Sequence, residues 1–217
     1  MTLRIPLALW TSFVLVFAAL SYGVRFSEGK PAEDTLYEWS TAVGSLVQFL
    51  VIALIVYGIA GLGHRRELLA LHRPTSWRRA ALIALGIGIA MALLLSFLGP
   101  LLDPGQEQGL TPDRWESAHA GAYVANGLVI AVGAPIVEEL MFRGLGYSLL
   151  ARFGQWTAIG LVGALFALAH GLVDGFPFLA AFGAMLAYLR SRVDSVYPGM
   201  VVHALFNATA LVLAVAA

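Results

Sequence analysis

Glu138 and Glu139 stand side by side in AVGAPIVEELMFRGLGYSLL, residues 131–150, a stretch that otherwise reads as membrane-spanning helix. An ionisable group at membrane depth is costly and usually persists where function needs it. His170, His203 and Asn207 lie in later apolar stretches of the same chain. Carboxylate and imidazole can share the proton of a water molecule, and a water activated in this way attacks a carbonyl carbon. The oxyanion that develops needs donors aimed at it, and an imidazole N–H and an asparagine NH₂ are suitable. The set therefore contains the parts for amide hydrolysis. Glu138 and His170 would activate water, and His203 and Asn207 would hold the oxyanion. Cysteine is absent from the chain, and Ser148 has no strong link to either histidine, so no side-chain nucleophile is indicated.

Helical spacing sorts these residues into faces. Glu139 and Arg143 are four apart and can pair, which lowers the cost of holding both away from water. Glu138 is about 100° further round the helix and can face a different neighbour. The simplest division gives Glu138 the chemistry and Glu139 with Arg143 the scaffolding, although the reverse division and a purely structural polar clamp stay open at this point. Phe166 and His170 share one face, as do His203 and Asn207; Phe166 by itself reads as packing. Pro135 lacks a backbone donor, so it interrupts the helix ladder and opens a gap through which water can reach Glu138. His170, His203 and one glutamate would also supply three ligands to a catalytic zinc. There is no HExxH and asparagine is a poor fourth ligand, so no metal or other cofactor is expected. Two other classes use buried acids and histidines: a proton-coupled transporter and a non-catalytic membrane-binding or immunity protein.

The elements that must position these groups follow from composition. The 217-residue chain is 59% hydrophobic and 12% charged, against about 25% charged in a soluble domain. This is an all-α, polytopic membrane protein whose surroundings are the lipid bilayer. Seven apolar stretches can be drawn, at 5–20, 44–63, 80–101, 121–150, 156–173, 175–190 and 196–217. Of the thirteen acidic residues only Glu138 and Glu139 fall inside them. The connection 64–79 carries Arg65, Arg66, Arg73, Arg78 and Arg79, and Arg152, Arg190 and Arg192 follow later spans. The connection 102–120 carries Asp103, Glu107, Asp113 and Glu116 against Arg114, and 21–43 is also net acidic. Short basic loops stay cytoplasmic, so seven spans place the N-terminus inside and the C-terminus outside. The first stretch reads as an uncleaved anchor. Trp39, Trp77, Trp115 and Trp156 suit interfacial anchoring, while His64, His72 and His119 read as surface histidines and Asp174 as a loop charge. Gly86 and Gly88 have neither a phosphate lysine nor a preceding strand, and read as close helix packing. No basic-aromatic patch points to nucleic acid.

EELMFR at 138–143, after Ala134-Pro135 and before Gly144, resembles the EExxxR motif of the CPBP family, the intramembrane proteases that group CAAX prenyl endopeptidases of type II with bacteriocin-processing relatives. Phe166 to His170 is similar to its FxxxH element, and His203 to Asn207, within VYPGMVVHALFNA, to its HxxxN element. The elements occur in the family's order and cover about residues 120–215. The resemblance implies a helical core around a hydrated site, with residues 120–217 as the catalytic membrane core and 1–115 as variable N-terminal helices and loops. It assigns water activation to Glu138 and His170, oxyanion stabilisation to His203 and Asn207, and supporting roles to Glu139 and Arg143. It implies a CAAX-type endopeptidase acting without a metal on a membrane-associated peptide or protein, in a prokaryotic cell membrane, and nothing finer about the substrate or oligomeric state. One geometric demand follows. With these boundaries His170 lies near the outer end of its span and Glu138 and His203 nearer the inner side, a depth difference on the order of 10 Å at ~1.5 Å per residue. The folded chain must remove it.

Overall fold

The computed structural model describes residues 3–29, 31–32, 34–102, 107, 109, 112 and 115–216. Asp103, Asp113 and Arg114, three charges of the acidic connection, lie outside them. Each apolar stretch becomes a helix: α1 Arg4–Glu28, α2 Trp39–Ala60, α4 Trp77–Leu102, α5 Ser117–Phe153, α6 Gln155–Ala169, α7 Phe176–Val193 and α8 Tyr197–Ala216, with a single short turn, α3 Arg65–Leu68, in the basic connection. Among the described residues five helices are long and apolar enough to cross a bilayer: α1, α2, α4 over Trp77–Gly99, α5 and α8. Of the other two, α6 has only 15 residues, and α7 carries Arg190 and Arg192 in its last turn.

Where the helices outrun their apolar stretches, tertiary contacts explain it. The sequence pattern ends the first at residue 20, yet α1 continues to Glu28 because its polar second half is used. The Tyr22 hydroxyl donates to Leu172 O at 2.9 Å, and Arg25 pairs with Glu107 at 3.1 Å. Glu107, one of the charges of the acidic connection, is 1% exposed and accepts the N–H groups of Val173 and Gly175 at 2.8 and 2.7 Å. The opposite error occurs at α6. Expected to reach residue 173, it stops at Ala169, because Gly171 at φ +66° turns the chain against the backbone of Ser21, a conformation that costs glycine little.

The two charge classes sort to the two ends of the bundle. At one end the basic connection is tied to the α7–α8 turn: Thr75 N donates to Val193 O at 2.9 Å and Ser195 Oγ to His72 O at 2.6 Å. At the other, Asn126 of α5 donates to Leu36 O and Glu38 O at 3.0 and 2.9 Å, beside the start of α2. Close helix contact is made by glycines other than those expected. Gly86 and Gly88 face open space, whereas a Cβ on Gly163 would lie 2.7 Å from Ala180 O, and one on Gly183 would lie 3.0 Å from the Gly163 Cα. Those two glycines are where α6 and α7 touch. His64 and His119 are exposed and His72 is partly so. Trp39, Trp77, Trp115 and Trp156 are all exposed, but Trp10 is fully buried.

Candidate functional site

The helix that carries the two glutamates is not a regular α-helix. Within α5, Val129–Gly133 and Glu139–Gly146 are π-helical, with Ala134–Glu138 α-helical between them. Such i→i+5 segments are rare and favour functional sites. Pro135 contributes here. Ala134 N donates to Val129 O in the wide register, so the next donor in that register would be residue 135, aimed at Ile130 O. Proline has none. The Asn207 amide takes its place, with Nδ2 donating to Ile130 O at 2.9 Å. The gap that Pro135 opens in the ladder is thus occupied by a side chain of α8.

On the packed side of α5, Glu139 and Arg143 are both fully buried, with Nη1 2.9 Å from Oε1. Arg143 Nη2 donates to Gly183 O at 3.2 Å, and its guanidinium lies 4.3 Å over the Phe166 ring. Coulombic attraction, a backbone carbonyl and a ring face together offset the cost of burying the charge. A Cβ on Gly199 would collide with Glu139 Oε2, so α8 approaches the carboxylate as closely as its backbone allows.

On the other side, Glu138 reaches a cavity of about 510 Å³ that His170, His203 and Asn207 also line. Its Oε2 is 4.0 Å from His170 Nε2 and 3.7 Å from His203 Nε2, and among the described residues it is buried without a hydrogen-bond partner. The backbone fixes the His170 tautomer: Nδ1 lies 2.7 Å from Phe166 O, and since a carbonyl only accepts, Nδ1 carries the proton and Nε2 presents a lone pair to the cavity. His203 is 3% exposed and has Nδ1 3.2 Å from Glu139 Oε1, so Nδ1–H donates to that carboxylate. His203 therefore stands between the two glutamates. Phe166 is fully buried, with ring centroids 4.5 Å from His170 and 5.8 Å from His203; Phe182 lies 5.2 Å from His203. These rings fix both imidazole planes.

All four residues expected to do chemistry thus reach one cavity, which Phe166 also lines, and Glu139 and Arg143 pack immediately behind it. The depth difference disappears because α6 is short: 15 residues rise about 22 Å, less than the ~30 Å hydrocarbon thickness, so His170 at its end stays at the level of Glu138. Ser148 is only partly buried and Asp174 is exposed; neither lines the cavity. Among the described residues, no group of three or more His, Cys, Asp or Glu side chains is arranged to hold a metal ion.

Several positioning residues escaped the motifs. Trp10 Nε1 donates to Met141 O at 2.9 Å, inside the second π segment, and its ring fills the space that a Cβ on Gly146 would need. Its place inside the first apolar stretch rather than beside a span end like the other four was the available signal. Gly199 was marked only by the Pro198-Gly199 pair in an apolar run. Glu107 carried no signal, because its partners lie far away in sequence.

No curated protein and no solved structure matches the chain. A family model described as type II CAAX prenyl endopeptidase Rce1-like matches residues 120–209, the stretch that contains EELMFR, the Phe166–His170 element and the His203–Asn207 element. With five helices among the described residues apolar and long enough to cross a bilayer, the chain is an integral membrane protein, and its residues 120–209 match the Rce1-like type II CAAX prenyl endopeptidase model, in line with the resemblance of its three motifs to the CPBP family.

Proposed function

We propose that the protein is an intramembrane endopeptidase that hydrolyses a peptide bond of a membrane-associated protein or peptide with a water activated by Glu138 and His170. One observation carries this reading. The Glu138 carboxylate and His170 Nε2 lie 4.0 Å apart at a shared cavity, and the hydrogen bond from Nδ1 to Phe166 O makes His170 Nε2 an acceptor. Two acceptors do not satisfy one another. A water between them donates one O–H to each, which holds it in place and strips electron density from neither of its lone pairs.

The water oxygen attacks the scissile carbonyl carbon, and its proton passes to Glu138. The carbonyl π pair moves onto oxygen. His203 holds that oxyanion with Nε2–H in its doubly protonated form, with the Glu139 carboxylate on Nδ1 balancing the positive charge once Glu138 has taken the proton. Asn207 offers the N–H that Ile130 O leaves free. The intermediate collapses, the C–N bond breaks, and Glu138 returns the proton to the departing amine. Glu139 and Arg143 act through His203 and the helix rather than on substrate. This sequence of steps uses no metal, and a chelator is expected to leave the rate unchanged. Residues 120–217 form the catalytic core and 1–115 the flanking helices. The basic connection faces the cytoplasm, with the N-terminus inside and the C-terminus outside.

Purified protein in detergent is given two dual-labelled peptides of the same sequence, one ending in a prenylated cysteine followed by an apolar tripeptide, the other unprenylated. Cleavage of either, lost in Glu138→Ala at unchanged melting temperature, is the expected result. Full activity in that folded variant overturns the role of Glu138. Cleavage of the prenylated form alone assigns the substrate class.

A further inference from the structure

Part of the cavity wall comes from α2, and its composition is unusual for a membrane helix. Apart from Ser40 at its start and Tyr57 near its end, the polar side chains of α2 are Thr41, Ser45 and Gln48. They fall at helical spacing on one face, with Phe49 and Ile52, and all five line the cavity. The side chains that α2 exposes elsewhere, such as Leu46, Val47, Leu50 and Leu54, are apolar. Among the described residues none of the three polar side chains is committed to a hydrogen bond. An uncommitted amide in the middle of a bilayer helix is costly unless it meets a polar partner.

Position says what that partner is. Asn126 bonds to Leu36 O and Glu38 O, which sets α2 and α5 side by side at the acidic end, and both run from there toward the basic end. From Glu38 to Gln48 is about 15 Å of helix and from Asn126 to Glu138 about 18 Å or less, so Gln48 reaches the level of the Glu138 carboxylate. Thr41 and Ser45 lead down to it. One α-helical step of four residues rises about 6 Å, close to the two-residue repeat of roughly 6.7 Å in an extended peptide. Another part of the wall is apolar: Phe178 and Phe182 pack against Phe206 with tilted rings, their centroids 5.9 and 4.6 Å from its own.

We infer that Thr41, Ser45 and Gln48 form a rail that hydrogen-bonds the backbone of an extended peptide substrate, guiding it from the acidic end of the bundle to Glu138 while its apolar side chains rest on the phenylalanine wall. The inference rests on the endopeptidase reading for the identity of the occupant, but it concerns binding and is measured without turnover. A dansyl-labelled, end-capped decapeptide of valine, leucine and alanine is titrated into the Glu138→Gln protein in detergent, with empty micelles subtracted, and anisotropy gives Kd. Gln48→Leu, close in volume, weakens binding about five-fold, the size of one lost neutral hydrogen bond. The peptide's backbone amides are N-methylated one at a time, and at one position the methyl group weakens binding to the parent by a similar factor and to Gln48→Leu by much less. A merely structural role for Gln48 would leave the response to N-methylation equal in both proteins. If Gln48→Leu does not fold, Thr41→Val with Ser45→Ala carries the same comparison. No binding by the parent, an unchanged Kd in the variant, or equal sensitivity to N-methylation overturns the rail. If wild-type protein hydrolyses peptide while these binding results fail, only the rail is lost; if binding behaves as expected and no peptide is cleaved, the rail stands and the endopeptidase reading falls.

Discussion

Glu138 and Glu139 are joined by one peptide bond and live in opposite environments. Glu138 faces two imidazoles across a cavity, with Oε2 lacking a donor among the described residues. Glu139 faces a guanidinium and a histidine N–H in a dry contact closed by Gly199. The difference teaches how a bundle holds two buried carboxylates at one point. Each keeps its Oε2 without a donor among the described residues, but Glu139 has Arg143 and His203 fixed on Oε1, which suits the supporting part proposed for it, whereas Glu138 opens on the cavity, which suits the reacting part. His203 touches both, so the packed side sets the orientation of a group on the open side.

The largest expected effect tests the open side. Glu138→Gln keeps the shape and one acceptor oxygen but not the basicity, and hydrolysis falls by at least about a thousand-fold, of the order expected for loss of a general base, while thermal unfolding in detergent stays within a few degrees. An equally large fall from Glu139→Gln with Glu138→Gln active would reverse the division between the two glutamates.

Next comes the packed side. Arg143→Met leaves the Glu139 charge buried against His203 alone, and breaking such a pair typically costs about 3–5 kcal/mol. The melting temperature falls accordingly. The double variant Glu139→Leu with Arg143→Met is expected to recover most of that stability and none of the activity, because no uncompensated charge remains but His203 has lost its anchor. Recovery of both would mean that Glu139 has no part in placing His203.

The sequence made the first of these contrasts readable and hid much of the second. The four-residue spacings of EELMFR, Phe166–His170 and His203–Asn207 placed on shared helix faces the side chains that meet at and behind the cavity, because a helix converts spacing into direction whatever surrounds it. Apolar runs located every long helix, but not its ends. α1 outran its pattern through Tyr22 and Arg25, and α6 fell short of its own at Gly171. Both ends are decided by partners distant in sequence, which periodicity does not record. The π segments were hidden for a related reason: Pro135 announced a missing donor, but the Asn207 amide that replaces it comes from another helix. Gly86 and Gly88 misled in the same way, since a glycine permits close approach without supplying the neighbour.

Asn207 joins the two regions and gives a finer test. Its amide serves the α5 backbone at Ile130, and its remaining N–H is assigned to the oxyanion. Asn207→Ala leaves the half-buried Ile130 carbonyl without that donor, at a cost of about 1 kcal/mol, and lowers kcat with little change in KM, since the oxyanion exists only near the transition state. Asn207→Asp keeps the volume but offers no donor in its ionised form. A KM effect alone would leave Asn207 with the helix and without the chemistry.

The smallest effect comes from farthest away. Trp10 belongs to α1, outside the Rce1-like stretch, and touches none of the four cavity residues expected to do chemistry, yet its indole N–H holds Met141 O within the π segment that begins at Glu139. Trp10→Phe removes that hydrogen bond, a neutral one contributing about 1 kcal/mol, and with it the outer indole ring that packs against Gly146. If the π segment keeps its register without the indole, only stability falls, by a few degrees. If it relaxes toward an α-helix, the side chains beyond Glu138 rotate relative to it, and Glu139 with His203 turns as well. Activity then drops by more than stability does. Measuring both in the same detergent, with Trp39→Phe as a surface control, separates an anchor that merely stabilises from one that keeps the two glutamates facing apart.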